Sequence, residues 1–503
     1  MYWEEKVRKN LLLCFLFVIS ILFKDSIFAN QKNETLVVAL GYKPRSFDPQ
    51  KHTDSSTLAV TKQIYNNLFV LDSNGKIQPE LAEKYNELSN GFVNITIKKG
   101  IKFHDNQELT AQIVADSLNR NISIPISKVL VESIKSIEVV DRYNLKIEQK
   151  YATSILLHNF SHSSLAIVKE IKSNDEGINL VGTGAYKIKK WGIGEKVELE
   201  SFDNYFKGQS SVKNLVFKTI PENTSRFIAL ETGEVDIAYD ISSIDIKSFK
   251  NNKNLDFISK PSLGTDFLSI NTEKGILSNK NVRNAIKYAI NKRAISEVAF
   301  ENNAEIAHSI LAPSVFGINN DLDKNSYNIK KAKQLLADSG IKTPIKLNLW
   351  IYEDNSKYQT AQIIQSNLKE IGIDINIEVL ELSSFLSFTA QGKHDMLIGL
   401  WYASTGDADY GLYPLVHSSS HGSVGNRSFY TNKDVDKLLD DSKIEKDLKV
   451  REDNYKQVQT ILQNENPIIP LIYKTYNIGL NKRVQGFIFN PNGNHILENT
   501  TIN

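Results

Sequence analysis

From Thr35 onward, short apolar runs alternate with stretches in which apolar residues recur every three or four positions. Thr35-Leu36-Val37-Val38-Ala39-Leu40 predicts a strand. So do Phe92 to Lys98, closed by Gly100, then Val197 to Phe202 and Leu215 to Ile220. Val282, Ala285, Ile286, Ala289 and Ile290 fall on one helical face. Ala361, Ile364, Leu368 and Ile371 do the same, and Gly372 supplies a helix stop before a strand from Asp374 to Leu380. Asp395 to Trp401 reads as a buried strand. Tyr455, Val458, Ile461 and Leu462 mark a late helix that ends before Pro467, and Ile468 to Tyr473 then reads as a strand. Strands interleaved with amphipathic helices make an α/β fold. The chain has no internal repeat and no Ser/Gly linker, so its domains must be interwoven or joined by short strands.

The N-terminus changes the picture from a simple globular chain to an exported one. Lys6, Arg8 and Lys9 precede an apolar run from Leu11 to Phe23, and Ser26-Ile27-Phe28-Ala29 offers a cleavage site before Asn30. The run falls short of the roughly 20 residues that a membrane-spanning helix needs. The expectation is a cleavable signal peptide, residues 1–29, and a soluble periplasmic product. Cys14 is the single cysteine and lies inside that signal. Leu13 before it is too bulky for a lipid-attachment site, so the mature chain is read as cysteine-free, which excludes thiol catalysis and Cys metal sites. Stability must then come from core burial, which a chain of 503 residues can supply over several domains. Lys and Arg number 60 against 58 Asp and Glu, a net charge of +2 that gives no reason to expect nucleic acid.

Several short motifs follow one another in order. They are Leu81-Ala82-Glu83-Lys84-Tyr85, Gly100-Ile101-Lys102-Phe103-His104-Asp105 with Leu109-Thr110-Ala111, and Gly182-Thr183-Gly184-Ala185-Tyr186. Phe202-Asp203-Asn204-Tyr205-Phe206, Glu231-Thr232-Gly233-Glu234-Val235-Asp236 and Asn281-Val282-Arg283-Asn284-Ala285 come next. Locally, Thr110 is a helix N-cap residue, His104 a turn residue, and Gly182 and Gly184 permit a tight turn. In this order the set resembles the extracellular solute-binding proteins of peptide and nickel ABC importers. The resemblance implies a two-lobe periplasmic binding protein with an extra domain inserted in lobe I and a hinge of crossing strands. Lobe I would comprise residues 30–49, 182–269 and 480–503. The insertion would be residues 50–181 and lobe II residues 270–479. The chain crossings would lie near Leu268–Asn271 and Tyr476–Ile478.

The resemblance also implies a function: capture of a small peptide-like solute, with delivery to an inner-membrane permease and its ATPase by a monomer that carries no cofactor. Trp401 to Leu415 is similar to the matching stretch of glutathione-binding members. Peptide binders of the dipeptide type carry an aspartate three positions after this Trp to hold the ligand ammonium, and Ser404 stands there instead. Asp407 and Asp409 lie further along the loop, with Thr405 and Tyr410 beside them, and either aspartate is a candidate ammonium anchor. The competing reading is that this Gly-Asp-Ala-Asp loop merely caps the next helix. Arg45 and Ser46 after the first strand, Thr265 and Asp266 before the crossing, and Arg427 and Tyr473 from lobe II are further ligand candidates. Arg45 or Arg427 would meet a ligand carboxylate.

Two other classes stay open. His158 and His162, and His417 and His421, are each spaced four apart, as two ligands on one helical face would be. That spacing supports nickel or metal-chelate binding, although Ser418-Ser419-Ser420 is a poor helix. An exported hydrolase is the third class, but no Gly-x-Ser-x-Gly elbow, His-Glu-x-x-His pair or P-loop supports it.

Overall fold

Thr35–Leu40 forms the strand its Leu and Val residues call for, and pairs in parallel with Asn214–Thr219, Leu36 opposite Leu215. The computed structural model describes residues 34–503 except 53, 73–75, 88–90, 152, 154, 173–177, 192–195, 243–244, 250–251 and 325–326. The signal segment and Cys14 lie outside the described residues. No helix among the described residues is long and apolar enough to cross a membrane.

One mixed sheet runs through the molecule. On one side stand Tyr186–Trp191, Lys196–Ser201, Asn214–Thr219, Thr35–Leu40 and Ile237–Ala238. On the other stand Met396–Tyr402, Ile345–Tyr352 and Ile373–Leu380. Two long antiparallel strands, Leu255–Ile270 and Ile468–Asn481, lie between them and pair with each other along most of their length. Asn481 to Thr475 faces Leu255 to Pro261 in the first half. In the second half, Gly264 to Ile270 pairs with Tyr402 to Met396. The register slips between Pro261 and Thr265, and from Gly264 onward the strand holds Met396–Tyr402 as a second partner beside Ile468–Asn481. The strand expected to end at Tyr473 runs on to Asn481, because Leu255–Pro261 supplies a partner for residues whose own pattern is too polar to announce a strand.

Each side has its own core. Leu36, Val38, Leu199, Phe217 and Ile478 cluster on the first. Val282, Ala285, Ile286, Ala289 and Ile290, read as one helical face, are all fully buried against Leu349, Ile364 and Met396 on the second. Burying one such side chain contributes about 1.5–3 kcal/mol, so this stripe fixes the Lys280–Ala289 helix to the sheet. Residues between these parts build a separate antiparallel sheet from Ala82–Glu87, Phe92–Ile97, Asn144–Gln149 and Ile134–Val139. It is covered by the Ala111–Ile122 helix, whose N-cap is Thr110. Tyr410, from the far side of the main sheet, is buried in this third core.

Three local readings change. Gly182 and Gly184 are required by close approach rather than by turn geometry: a Cβ would stand 2.0 Å from the Ile64 carbonyl oxygen at Gly182 and 2.4 Å from that of Gln63 at Gly184. The 158/162 spacing does not place two imidazoles on one helix, because that helix ends at Asn159 and His162 caps the following 3-10 turn. The 417/421 pair is likewise broken, with His417 ending the Ala408–Val416 helix and 3-10 turns following.

Candidate ligand-binding site

The end of the Met396–Tyr402 strand carries the chemistry. Its pairing with Leu255–Ile270 sets Trp401 opposite Thr265 and Tyr402 opposite Gly264. A Cβ at Gly264 would come within 2.5 Å of the Tyr402 ring, so a residue without a side chain is needed for that ring to lie flat. Tyr402 in turn stacks on Tyr476, with ring centroids 5.9 Å apart and planes 6° off parallel. The Trp401 indole nitrogen donates to the Tyr410 carbonyl at 2.9 Å, which locks the ring against the start of the next helix.

These rings form one wall of a cavity of about 870 Å³. Arg45, His52, Ser55 and Leu58 enter it from the residues after the first strand, and Ile126, Val129 and His162 from the small antiparallel domain. The far side of the sheet contributes Leu386, Ser404, Tyr410, His421, Arg427 and Phe429, and the C-terminal stretch adds Asn492 and Asn494. A smaller annex of about 220 Å³ shares Arg45, Trp401, Tyr402 and Arg427 and adds Asp54 and Ser269. Several parts of the molecule therefore converge on one cavity, the geometry of small-solute sites.

Arg427 is the unusual group. Its Nε donates to Thr389 Oγ1 at 3.0 Å. Burial pushes its pKa down to about 10, and no carboxylate among the described residues opposes that. Arg45, by contrast, is held by Asp54 at 2.9 Å. None of the described residues lining the large cavity is an aspartate or glutamate. His162 is kept neutral, its pKa pushed to about 4 by burial.

Of the residues singled out from sequence, Trp401, Ser404, Tyr410, Arg45, Arg427, His162 and His421 line the cavity. The others do not. Asp407 caps the Ala408–Val416 helix and takes both Arg451 terminal nitrogens, at 2.5 and 2.7 Å. Burial raises the Asp409 pKa to about 6, its Oδ1 has no hydrogen-bond partner, and the nearest opposing charge is Lys443. The expected ammonium anchors thus point into the protein, and the capping reading of this loop describes Asp407. Thr405 and Thr265 are buried away from the cavity with unpartnered hydroxyls. Ser46 accepts from the Asp48 N–H in a turn. Asp266 is paired with Lys357 at 2.9 Å. Tyr473 is bonded through its hydroxyl to His308 and the Ser309 N–H, and touches only a third, hinge-side cavity. His417 stacks on Tyr413 and bonds Ser419, while His421 bonds the Tyr430 carbonyl. Among the described residues no group of three or more His, Cys, Asp or Glu is placed to hold a metal ion.

Residues 76–423 match the family of bacterial extracellular solute-binding proteins, family 5. The chain belongs to this family. A glutathione-binding protein of Salmonella choleraesuis is 30% identical over 474 residues, covering 91% of this chain and 92% of that one. Its counterpart in Escherichia coli O1:K1 is 29% identical over the same length. The periplasmic binding protein DppA of Helicobacter pylori, solved with the peptide STSA, superposes with a TM-score of 0.86 at 27% identity, covering 94% and 99% of the two chains. The family fold is the two-lobe architecture, and the sheet described above is its backbone, with the long strands linking the lobes. Tyr402, His52 and Asn492 line the cavity without having been marked as ligand candidates in the sequence, while Tyr476 was marked only for the chain crossing and His162 only for its spacing from His158. Only the Trp401–Leu415 similarity pointed to this wall, and Tyr476 sits some seventy residues beyond it.

Proposed function

We propose that this chain is the substrate-binding subunit of an ABC importer, acting in the periplasm after export. In this reading it closes two lobes on a small peptide-like solute and passes it to a membrane permease coupled to an ATPase. The observation that carries the reading is the cavity of about 870 Å³ between parts drawn from the whole chain, with aromatic walls and an Arg427 that no carboxylate among the described residues pairs with. Lobe I as residues 30–49, 182–269 and 480–503, an insertion at 50–181 and lobe II at 270–479 would place the cavity between lobes.

Glutathione is the first ligand to test. Two of the relatives are glutathione-binding proteins, and a ligand with two carboxylates suits a cavity whose charged lining is cationic. A ligand bound only by the native state at a hundredfold excess over Kd should stabilise the protein by about 2.7 kcal/mol. The expected result is a raised melting temperature with glutathione or another short peptide, and the same solute in the mass spectrum of protein purified from its host. Release of a hydrolysed product from any bound peptide would overturn the reading.

A further inference from the structure

The charge pattern of the cavity goes further than its shape. The large cavity presents Arg427, Arg45 and Lys51 and no carboxylate among its described lining residues. Asp54, in the annex, is already taken twice. It pairs with Arg45 at 2.9 Å and accepts the Thr57 N–H at 3.0 Å as a helix cap. Asp407 and Asp409 are turned inward. Arg427 holds a single neutral partner, Thr389, and faces both spaces. Close by in the annex, the Ser269 hydroxyl is buried without a hydrogen-bond partner. Arg427 is half-buried, and a guanidinium with little water around it and no carboxylate gains more from a bound anion than one in open solvent. An ammonium brought into the same cavity would find carbonyl oxygens, hydroxyls, the imidazoles of His52, His162 and His421 and the faces of Trp401, Tyr402 and Tyr476, but no carboxylate among the described lining residues.

Resting on the peptide-like reading above, we propose that the site selects its solute by carboxylate alone. One ligand carboxylate seats on the free edge of Arg427, and the ligand's amino end needs no anionic partner. The solute class is therefore anionic short peptides, including those whose α-amino group is acylated or otherwise uncharged. This differs from sites that clamp a zwitterion at both ends, because here only one end is paired with an opposite charge.

The test is calorimetric titration with matched probes: trialanine and glutathione, each as the free peptide, the N-acetyl derivative and the form with every carboxylate amidated. N-acetylation is expected to change Kd by less than about threefold, and amidation to weaken it by about tenfold or more, the scale of one charge-assisted hydrogen bond. Arg427→Met should bind the free and amidated forms equally weakly, and Arg427→Lys should recover part of the difference. The empty Arg427→Met protein should melt no lower than the parent, which separates a ligand role from a structural one. Asp240 and Asp354 line the adjoining hinge-side cavity of about 170 Å³. If N-acetylation abolishes binding and Asp240→Asn does the same, the amino end is anchored there and the proposal falls. Equal binding of amides and free acids also overturns it while leaving the peptide reading intact. Binding of none of the six probes overturns both.

Discussion

At the scale of single residues, Asp407 and Asp409 stand two positions apart and do opposite things. Asp407 is buried and fully used, with Arg451 holding its carboxyl below the usual range despite the cost of burial. Replacing it with Asn should cost about 3–5 kcal/mol by leaving a guanidinium buried without its partner. Asp409 has no such partner, and burial carries its pKa from 3.8 up to about 6. The native state therefore binds a proton more tightly than the unfolded chain does. Between about pH 4 and pH 6 the stability should fall as pH rises, and the penalty stays constant above that window. Asp409→Asn removes it. The variant should be more stable than the parent at pH 7.5 by on the order of 2–3 kcal/mol, with the gap closing near pH 4. Urea unfolding at both pH values checks this, and a variant less stable at pH 7.5 would disprove it. The spacing of acids in the loop was plain in the sequence. Which of them would find a cation was not, because Arg451 and Lys443 come from helices more than thirty residues away.

At the scale of elements, the segments that read well are those whose own residues decide them. The Asn355–Lys369 helix and the Ile373–Leu380 strand carry their periodicities and their Gly372 stop within the segment. The Ile468–Asn481 strand does not, because half of it exists only by virtue of pairing with Leu255–Pro261. Gly182 is a similar case, visible as a glycine but not as a contact. Gly182→Ala should force the Ile64 backbone aside and destabilise by about 1–3 kcal/mol. Gly340→Ala has open space around its Cβ and meets only the cost of a positive φ of 70°, about 1 kcal/mol. Chemical denaturation of the two variants should rank them in that order. The reverse order would mean that the helix end at Ile64 yields easily.

At the scale of the molecule, the cavity is lined by parts drawn from the whole chain, so a movement of one lobe against the other would reshape it. Glu132 of the small antiparallel domain pairs with Lys443, and Tyr410 is buried in that domain's core. Cys14 is the one native cysteine, so a labelled pair can be introduced cleanly. With spin labels at Val140→Cys and Leu448→Cys, both well exposed at 57% and 60%, the distance distribution should be broad in the empty protein and narrow when ligand is added. A distribution that ligand leaves unchanged would rule out domain closure. The sequence by itself determined the α/β alternation, the separate cores, the family and the location of the Trp401 wall. Each of these is written in local periodicity or in short ordered motifs. Only the tertiary structure decided which charges remain unpaired. Arg427 and Asp409 are a lone arginine and a lone aspartate to the sequence. Whether each has a partner depends on side chains that the fold brings from elsewhere, and that pairing leaves Arg427 facing the cavity without a carboxylate and Asp409 a buried acid.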